Sequence, residues 1–307
     1  STPPISAPSA PAIGETVILG VPLTTLAAMR GAYVCSGARL DGVTLCDGRS
    51  RVDPQQSISE TLGGGLFAES GATIVDCVIS NNGALNGGGS CGWGTFERCT
   101  FADNSSAFSG GGALYGYFRN CMIGPGNESH SGAGLSQAEV DCSLIQENWA
   151  SEAGGGAYDS TIRRSRIEGN DSSWGGGGLS SCTAENCLVL FNRAWSGNGG
   201  GARGTTIRNC VLRGNDASAS GGGADGCYIR SSIIWWNYAA TLDNVSLGLG
   251  SLDYSCTTPD PGGTENTTND PQFVDIDSDW HLLSISPCID KGDPLSTVSN
   301  DYDGVWR

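Results

Sequence analysis

GGGARGTTIRNCVLRGNDASAS, residues 199–220, is one unit of a repeat. The next unit opens at Gly221 with GGGADGCYIRSSIIWWN and the preceding one at Gly176 with GGGLSSCTAENCLVLFN; earlier copies open at Gly63, Gly87, Gly110, Gly132 and Gly154. The start-to-start spacings are 24, 23, 22, 22, 22, 23 and 22 residues. A period held this steadily marks a solenoid whose units pack on their neighbours. The run Thr206–Leu212 alternates apolar and polar residues at strand spacing, not helical spacing. One unit is long enough to circle a narrow prism once, which the repeat predicts to be three-sided, with coils ~4.8 Å apart. The expected fold is therefore all-β, a single right-handed parallel β-helix of ~22-residue coils with irregular capping segments at both ends.

Stacked coils bring like positions into contact, and several columns set the register. Cys77, Cys99, Cys121, Cys142, Cys187 and Cys210 form one, with Ser165 and Ser232 filling two rungs. Asn82, Asn104, Asn127, Asn148, Asn170, Asn192, Asn215 and Asn237 form a second at the following turn, where stacked amides can pass hydrogen bonds from rung to rung. Glu97, Arg119, Glu139, Arg163, Glu185, Arg208 and Arg230 read as a solvated ladder of mostly alternating charge. The glycine triplets mark a sharp turn or an approach too close for a Cβ. They do not read as a phosphate cradle, because no Gly-x-Gly-x-x-Gly opens a helix and no Lys-Ser/Thr follows.

The period divides the chain into an N-terminal Ser/Pro-rich arm (1–14), capping coils (15–62), regular repeats (63–242), and C-terminal coils with a closing segment (243–307). The repeat also accounts for the 48 glycines among 307 residues without collagen or disorder. With 16 Lys+Arg against 32 Asp+Glu, a net charge of −16, the chain is unsuited to nucleic acid or anionic lipid. No run of about 18 apolar residues predicts a membrane span. The start at Ser1, without Met, is the pattern of a processed product.

Thirteen cysteines suggest an oxidising, extracellular setting. The column cysteines are expected to be buried small hydrophobes, with Cys91, Cys182 and Cys227 as second-site neighbours. Cys35/Cys46 and Cys256/Cys288 are the candidate disulfides that would staple the ends.

GGGA…TIRNC…GN units followed by LDYSCTTP, NDPQFVD, SPCIDKGDP and DYDGVWR resemble the secreted right-handed parallel β-helix repeat proteins of planctomycete and verrucomicrobial-type bacteria, similar to polymorphic outer-membrane protein passengers. The resemblance covers residues 31–307 and implies the fold and a place at the cell surface. Family members often continue past the Asp-x-Asp-Gly-x-x-Arg element, so the stop at Arg307 suggests trimming or a missing last strand.

Two function classes follow. The first is a non-enzymatic structural or adhesive subunit, polymerising head to tail through its open solenoid ends and an arm carrying Ser1, Pro3, Pro4, Ile5, Pro8, Pro11 and Ile13. The second is a polysaccharide lyase or hydrolase, or a carbohydrate-binding module, on the same fold. No cofactor is expected except Ca²⁺, for which Asp275, Asp277 and Asp279 are candidates. They resemble the first half of a calcium loop, but Trp280 stands where its Gly belongs and Ser286 where its Glu belongs. Asp301 and Asp303 are a lesser hint of the same kind. Neither His130 nor His281 sits in a sequence motif for nucleophilic catalysis. Trp93, Trp149, Trp174, Trp195, Trp235 and Trp236 are expected to pack in the core or in ladders, with stacking on sugars as the alternative. Of five Asn-x-Ser/Thr sequons (Asn104, Asn127, Asn170, Asn244, Asn266), the first three fall in the Asn column, where an inward amide cannot carry a glycan.

Overall fold

A computed structural model describes residues 16–19 (backbone only), 29–50, 61–275, 278–296 and 301–303. Within them the chain is an all-β solenoid without an α-helix, in which parallel sheets of 11, 10, 8 and 10 strands run the length of the stack. Each regular coil contributes one strand to each sheet, so the prism has four sides and not the three that the repeat predicts. The predicted strand Thr206–Leu212 contains a corner: Thr206–Arg208 lies on the second side and Val211–Arg213 on the third. The turn is made by Asn209 in the left-handed region (φ 50°). Asn pays little for that conformation, which is why the alternating pattern conceals the bend.

Following one coil fixes the sides. After Gly110–Gly112, Ala113–Leu114 lies on the first side, Tyr117–Arg119 on the second, Met122–Ile123 on the third and Glu128–Ser131 on the fourth. The stack reaches beyond the regular repeats at both ends. Ala32–Val34 pairs with Leu66–Ala68, Thr16–Leu19 pairs with Val43–Cys46, and Ile233–Trp235 pairs with Cys256–Thr257.

The core is a set of one-residue columns. Leu45, Ile79, Phe101, Ile123, Ile145, Ile167, Val189, Leu212 and Ile234 stack on the third side, and all are fully buried. On the second side Phe96 lies flat on Phe118, 4.8 Å between centroids, and Phe101 meets both edge-on. The Asn column occupies the corner between the third and fourth sides. Each side-chain amide donates to the next carboxamide at 2.8–3.0 Å, from Asn82 through Asn237 and on to Asn244. Each also donates to a carbonyl of the preceding coil, as Asn170 does to Ile145 at 2.9 Å. The line is closed by the Gly48 amide at one end and the Thr258 carbonyl at the other. Every buried polar atom in it therefore has partners.

Two columns need correction in the coil that opens at Gly132. Its cysteine-column rung is Ser143, whose hydroxyl accepts from the Cys121 amide at 3.0 Å; Cys142 is the left-handed residue before it (φ 49°). The charged rung is Asp141, paired with Arg119 and Arg163, and not Glu139, which stands two residues earlier. With Asp141 in place the signs alternate without interruption from Glu97 to Arg208. The ion pairs nevertheless run to the corner residues, Arg164 to Asp141 and Arg98 to Asp76 at 2.8 Å.

At the C-terminal end the last coil is covered by its own chain. Tyr254 and Thr257 donate their amides to the Thr264 and Thr267 carbonyls, and Thr267 donates back to Ser255. An antiparallel hairpin, Phe273–Asp275 with Asp279–Leu282, then lies along the flank of the stack. Trp280 sits 5.1 Å from the Arg166 guanidinium, and Asp293 forms an ion pair with Arg230 at 2.7 Å.

Candidate functional site

The second side opens each strand with a column that reads Arg39, Thr73, Thr95, Tyr117, Glu139, Thr161, Thr183, Thr206, Tyr228 and Ser251. Between Thr73 and Thr206 the threonines give way at only two rungs, Tyr117 and Glu139. The corner before this column is glycine at positions 92, 204 and 226, but Tyr115 and Gln137 hold the left-handed corners (φ 65° and 52°) before those two rungs, and Asp159 and Ser181 (φ 48° and 55°) hold the next two, before Thr161 and Thr183. A bulky residue at positive φ is disfavoured, and such strain tends to persist where function needs the side chain. The two patterns break together in the coils of Tyr117 and Glu139, and the corner pattern stays broken for two coils more.

These departures enclose a groove of about 390 Å³ lined by Trp93, Tyr115, Gln137, Ala138, Glu139, Asp159 and Thr161. Trp93 stacks on Tyr115 with 5.2 Å between centroids and an interplanar angle of 26°, and Tyr117 tilts against it at 5.5 Å. Trp93 and Tyr117 remain about two-fifths exposed, so the aromatic surface faces solvent and not the core. The Gln137 side-chain amide donates to Asp159 Oδ2 at 3.1 Å, fixing that carboxylate at the edge of the groove. The result is a flat aromatic surface bordered by two carboxylates and an amide, with no cation in its lining. Sequence reasoning placed Glu139 in a charge ladder and passed over Tyr115, Gln137 and Asp159. Their signal was present as the interrupted threonine column, which becomes visible only once the register is correct.

The other candidates are dispersed. Trp235 is buried, whereas Trp149, Trp174 and Trp195 are exposed, against the expectation of core packing. The Arg193 guanidinium covers the Trp195 ring at 3.6 Å. Asp275 accepts from Ser278 and Asp279 accepts from the His281 amide, while Asp277 lies outside the described residues. Among the described residues no three His, Cys, Asp or Glu groups are placed to share a metal ion. His281 is held between Asp279 and Asp303, with 2.7 Å from Nε2 to Asp303 Oδ2.

All thirteen cysteines are thiols. Cys35 and Cys46 lie on different sides of the prism and are not bonded to each other, contrary to the expected staple. Cys256 and Cys288 do meet: the neighbouring Cys256 thiol lowers the pKa of Cys288, while Cys256 Sγ donates to the Asn269 carbonyl at 3.3 Å. Cys182 and Cys227 belong to a second inward column with Ser160 and Thr205, and burial pushes both thiols up to about 12. The arm residues Ser1, Pro3, Pro4, Ile5, Pro8, Pro11 and Ile13 lie outside the described residues.

No family model matches the chain, and no curated protein does. Among solved structures it is similar to the Dettilon tailspike protein gp208, at 10% identity over 78% of this chain and 54% of that one, with a TM-score of 0.42. It is also similar to XylC in complex with xylose, at 8% identity over 82% and 56%, with a TM-score of 0.34. The fluoroquinolone-resistance protein QnrB1 follows at 16% identity over 77% and 92%, with a TM-score of 0.26. The chain spans about half the length of the first two. Similarity this low carries nothing about ligand or activity.

Proposed function

We propose that the protein is an adhesive β-helix of the cell exterior that binds glycans in the groove between Trp93 and Thr161. The observation that carries this reading is the coincidence of the aromatic stack with the two interrupted columns, since binding sites are where a repeat departs from its own rules. A pyranose ring has an apolar C–H face that packs on an aromatic plane, while its equatorial hydroxyls need acceptors at the rim. Trp93 and Tyr115 supply the plane; Glu139 and Asp159 supply the acceptors. Head-to-tail polymerisation ranks behind adhesion, because at the C-terminal end the edge from Tyr254 to Thr257, one of those that growth would use, is already paired with residues 264–267.

Two carboxylates beside a sugar platform are also the equipment of glycoside hydrolysis, which is the second reading. Against it, Asp159 accepts a hydrogen bond from Gln137, which places that carboxylate as an acceptor at the groove edge. A panel of neutral and acidic polysaccharides in affinity electrophoresis tests both. Trp93→Ala is expected to weaken retention about tenfold, the loss of ~1.4 kcal/mol of stacking. Retention unchanged in that variant, or no polysaccharide retained at all, defeats the adhesive reading. Release of reducing ends that stops in Glu139→Gln would replace it with the hydrolase.

A further inference from the structure

A β-bulge on the fourth side brings two consecutive residues to a third that lies one coil away in the sequence. Strand Glu128–Ser131 pairs with Trp149–Ala153, with Ser129 opposite Ala150 and Ser131 opposite Ala153. Two residues, Ser151 and Glu152, therefore oppose the single residue His130. In an uninterrupted strand consecutive side chains point to opposite faces; a bulge re-aims one of them, and bulges recur beside active sites. Here both reach the same imidazole. Ser151 Oγ is 3.2 Å from His130 Nδ1, and Glu152 Oε2 is 2.8 Å from His130 Nε2. Ser131 Oγ also donates to Glu152 Oε2, at 3.4 Å.

We propose that Ser151, His130 and Glu152 form an acyl-transfer site that hydrolyses small O-acyl esters, acetyl esters of sugar hydroxyls being the class that fits. Glu152 holds the tautomer with the proton on Nε2, which leaves the Nδ1 lone pair facing the serine hydroxyl. The order of nucleophile, base and orienting carboxylate is that of a hydrolytic triad, with the two ring nitrogens exchanged. Ser151 Oγ attacks the acyl carbonyl carbon while its proton passes to His130 Nδ1. The ester C–O bond breaks, and the alcohol departs with that proton. Water then repeats the sequence on the acyl-serine, releasing the carboxylic acid and restoring Ser151. His130 and Glu152 are about half exposed, so no deep acyl pocket exists and the acyl group must be small. The alcohol side has room: a groove of about 300 Å³ begins at Ser131 and Glu152 and continues to Tyr158, Ser180 and Arg203. This site is separate from the aromatic groove, and neither proposal depends on the other.

The test uses the intact chain with a fluorophosphonate probe, followed by peptide mapping, and with 4-nitrophenyl acetate as substrate. One adduct on Ser151 is expected, absent in Ser151→Ala and slowed about a hundredfold in His130→Gln. Glu152 is a positioning residue: Glu152→Gln should lower kcat with little change in KM, and Glu152→Asp should restore part of the rate. All these side chains lie on the exposed face, so the variants should keep the wild-type circular dichroism. Absence of a Ser151 adduct, or labelling that persists undiminished in His130→Gln, overturns the proposal.

Discussion

Asn170 shows why the polar column is not a defect in the core. Its amide donates to Ile145 and Asn192, and its carboxamide oxygen accepts from the side chain and backbone of Asn148. An apolar residue there would strand partners on both neighbouring coils at once, at ~1–3 kcal/mol for each unsatisfied buried group. Asn170→Ala is therefore expected to cost about 3 kcal/mol in urea unfolding, well beyond the loss from an exposed Asn. Glycine substitutions separate two physical causes. A Cβ on Gly155 would stand 2.2 Å from the Asp171 carbonyl, so Gly155→Ala must push coils apart. Gly204 has nothing within 4 Å of its Cβ position and only a positive φ (58°) to resist substitution. Gly204→Ala should cost ~1 kcal/mol and Gly155→Ala considerably more, measured by thermal unfolding of each variant.

At the scale of the element, the C-terminal hairpin is held by a clasp that depends on pH. Hydrogen bonds to Asp303 and then Asp279 raise the pKa of His281, so protonated imidazole is favoured in the folded state. A raised folded pKa gives a stabilising contribution that is complete below the ordinary histidine value and lost as pH rises through the folded value. The Asp279 pKa is lowered by the same partner, so its share fails only in acid, as pH falls through its folded value. Hydrogen exchange of residues 273–303 should accordingly be slowest in the mildly acidic range and faster on the alkaline side. His281→Gln should remove the alkaline limb; an unchanged profile would count against the clasp. Beside it, Tyr302 is half-buried, and its desolvation pushes the phenol up to about 12 and keeps it neutral throughout this range.

At the scale of the molecule, the thiols divide by position. Native-state alkylation should modify exposed Cys35 first, whereas Cys182 and Cys227, buried and with pKa values near 12, should react only after denaturation. Cys256 and Cys288 are the pair set for oxidation. Treatment with oxidised glutathione should join them, with Cys288 attacking first because its pKa is lowered beside Cys256, and non-reducing peptide maps would reveal the link. Such a bond would fasten the closing segment to the last coil, while the solenoid, stabilised coil upon coil, would not need it.

Composition, the 22–24-residue period and the Asn column together determined that this is an all-β parallel solenoid, because a one-dimensional stack makes sequence period and spatial contact the same thing. The column assignments failed only in the Gly132 coil, at Cys142 and Glu139, where a shift of one or two residues is invisible until hydrogen-bonded partners are seen. The number of sides was also hidden, since Asn209 and its equivalents bend the chain inside an apparently continuous strand. The sites were the least legible. Trp93, Tyr115, Gln137 and Asp159 come from four successive coils and meet only through stacking, and His130 meets Ser151 and Glu152 only through a bulge. A repeat dictates its own backbone locally, but the side chains that depart from it find their neighbours one coil away, and that neighbourhood belongs to the tertiary structure alone.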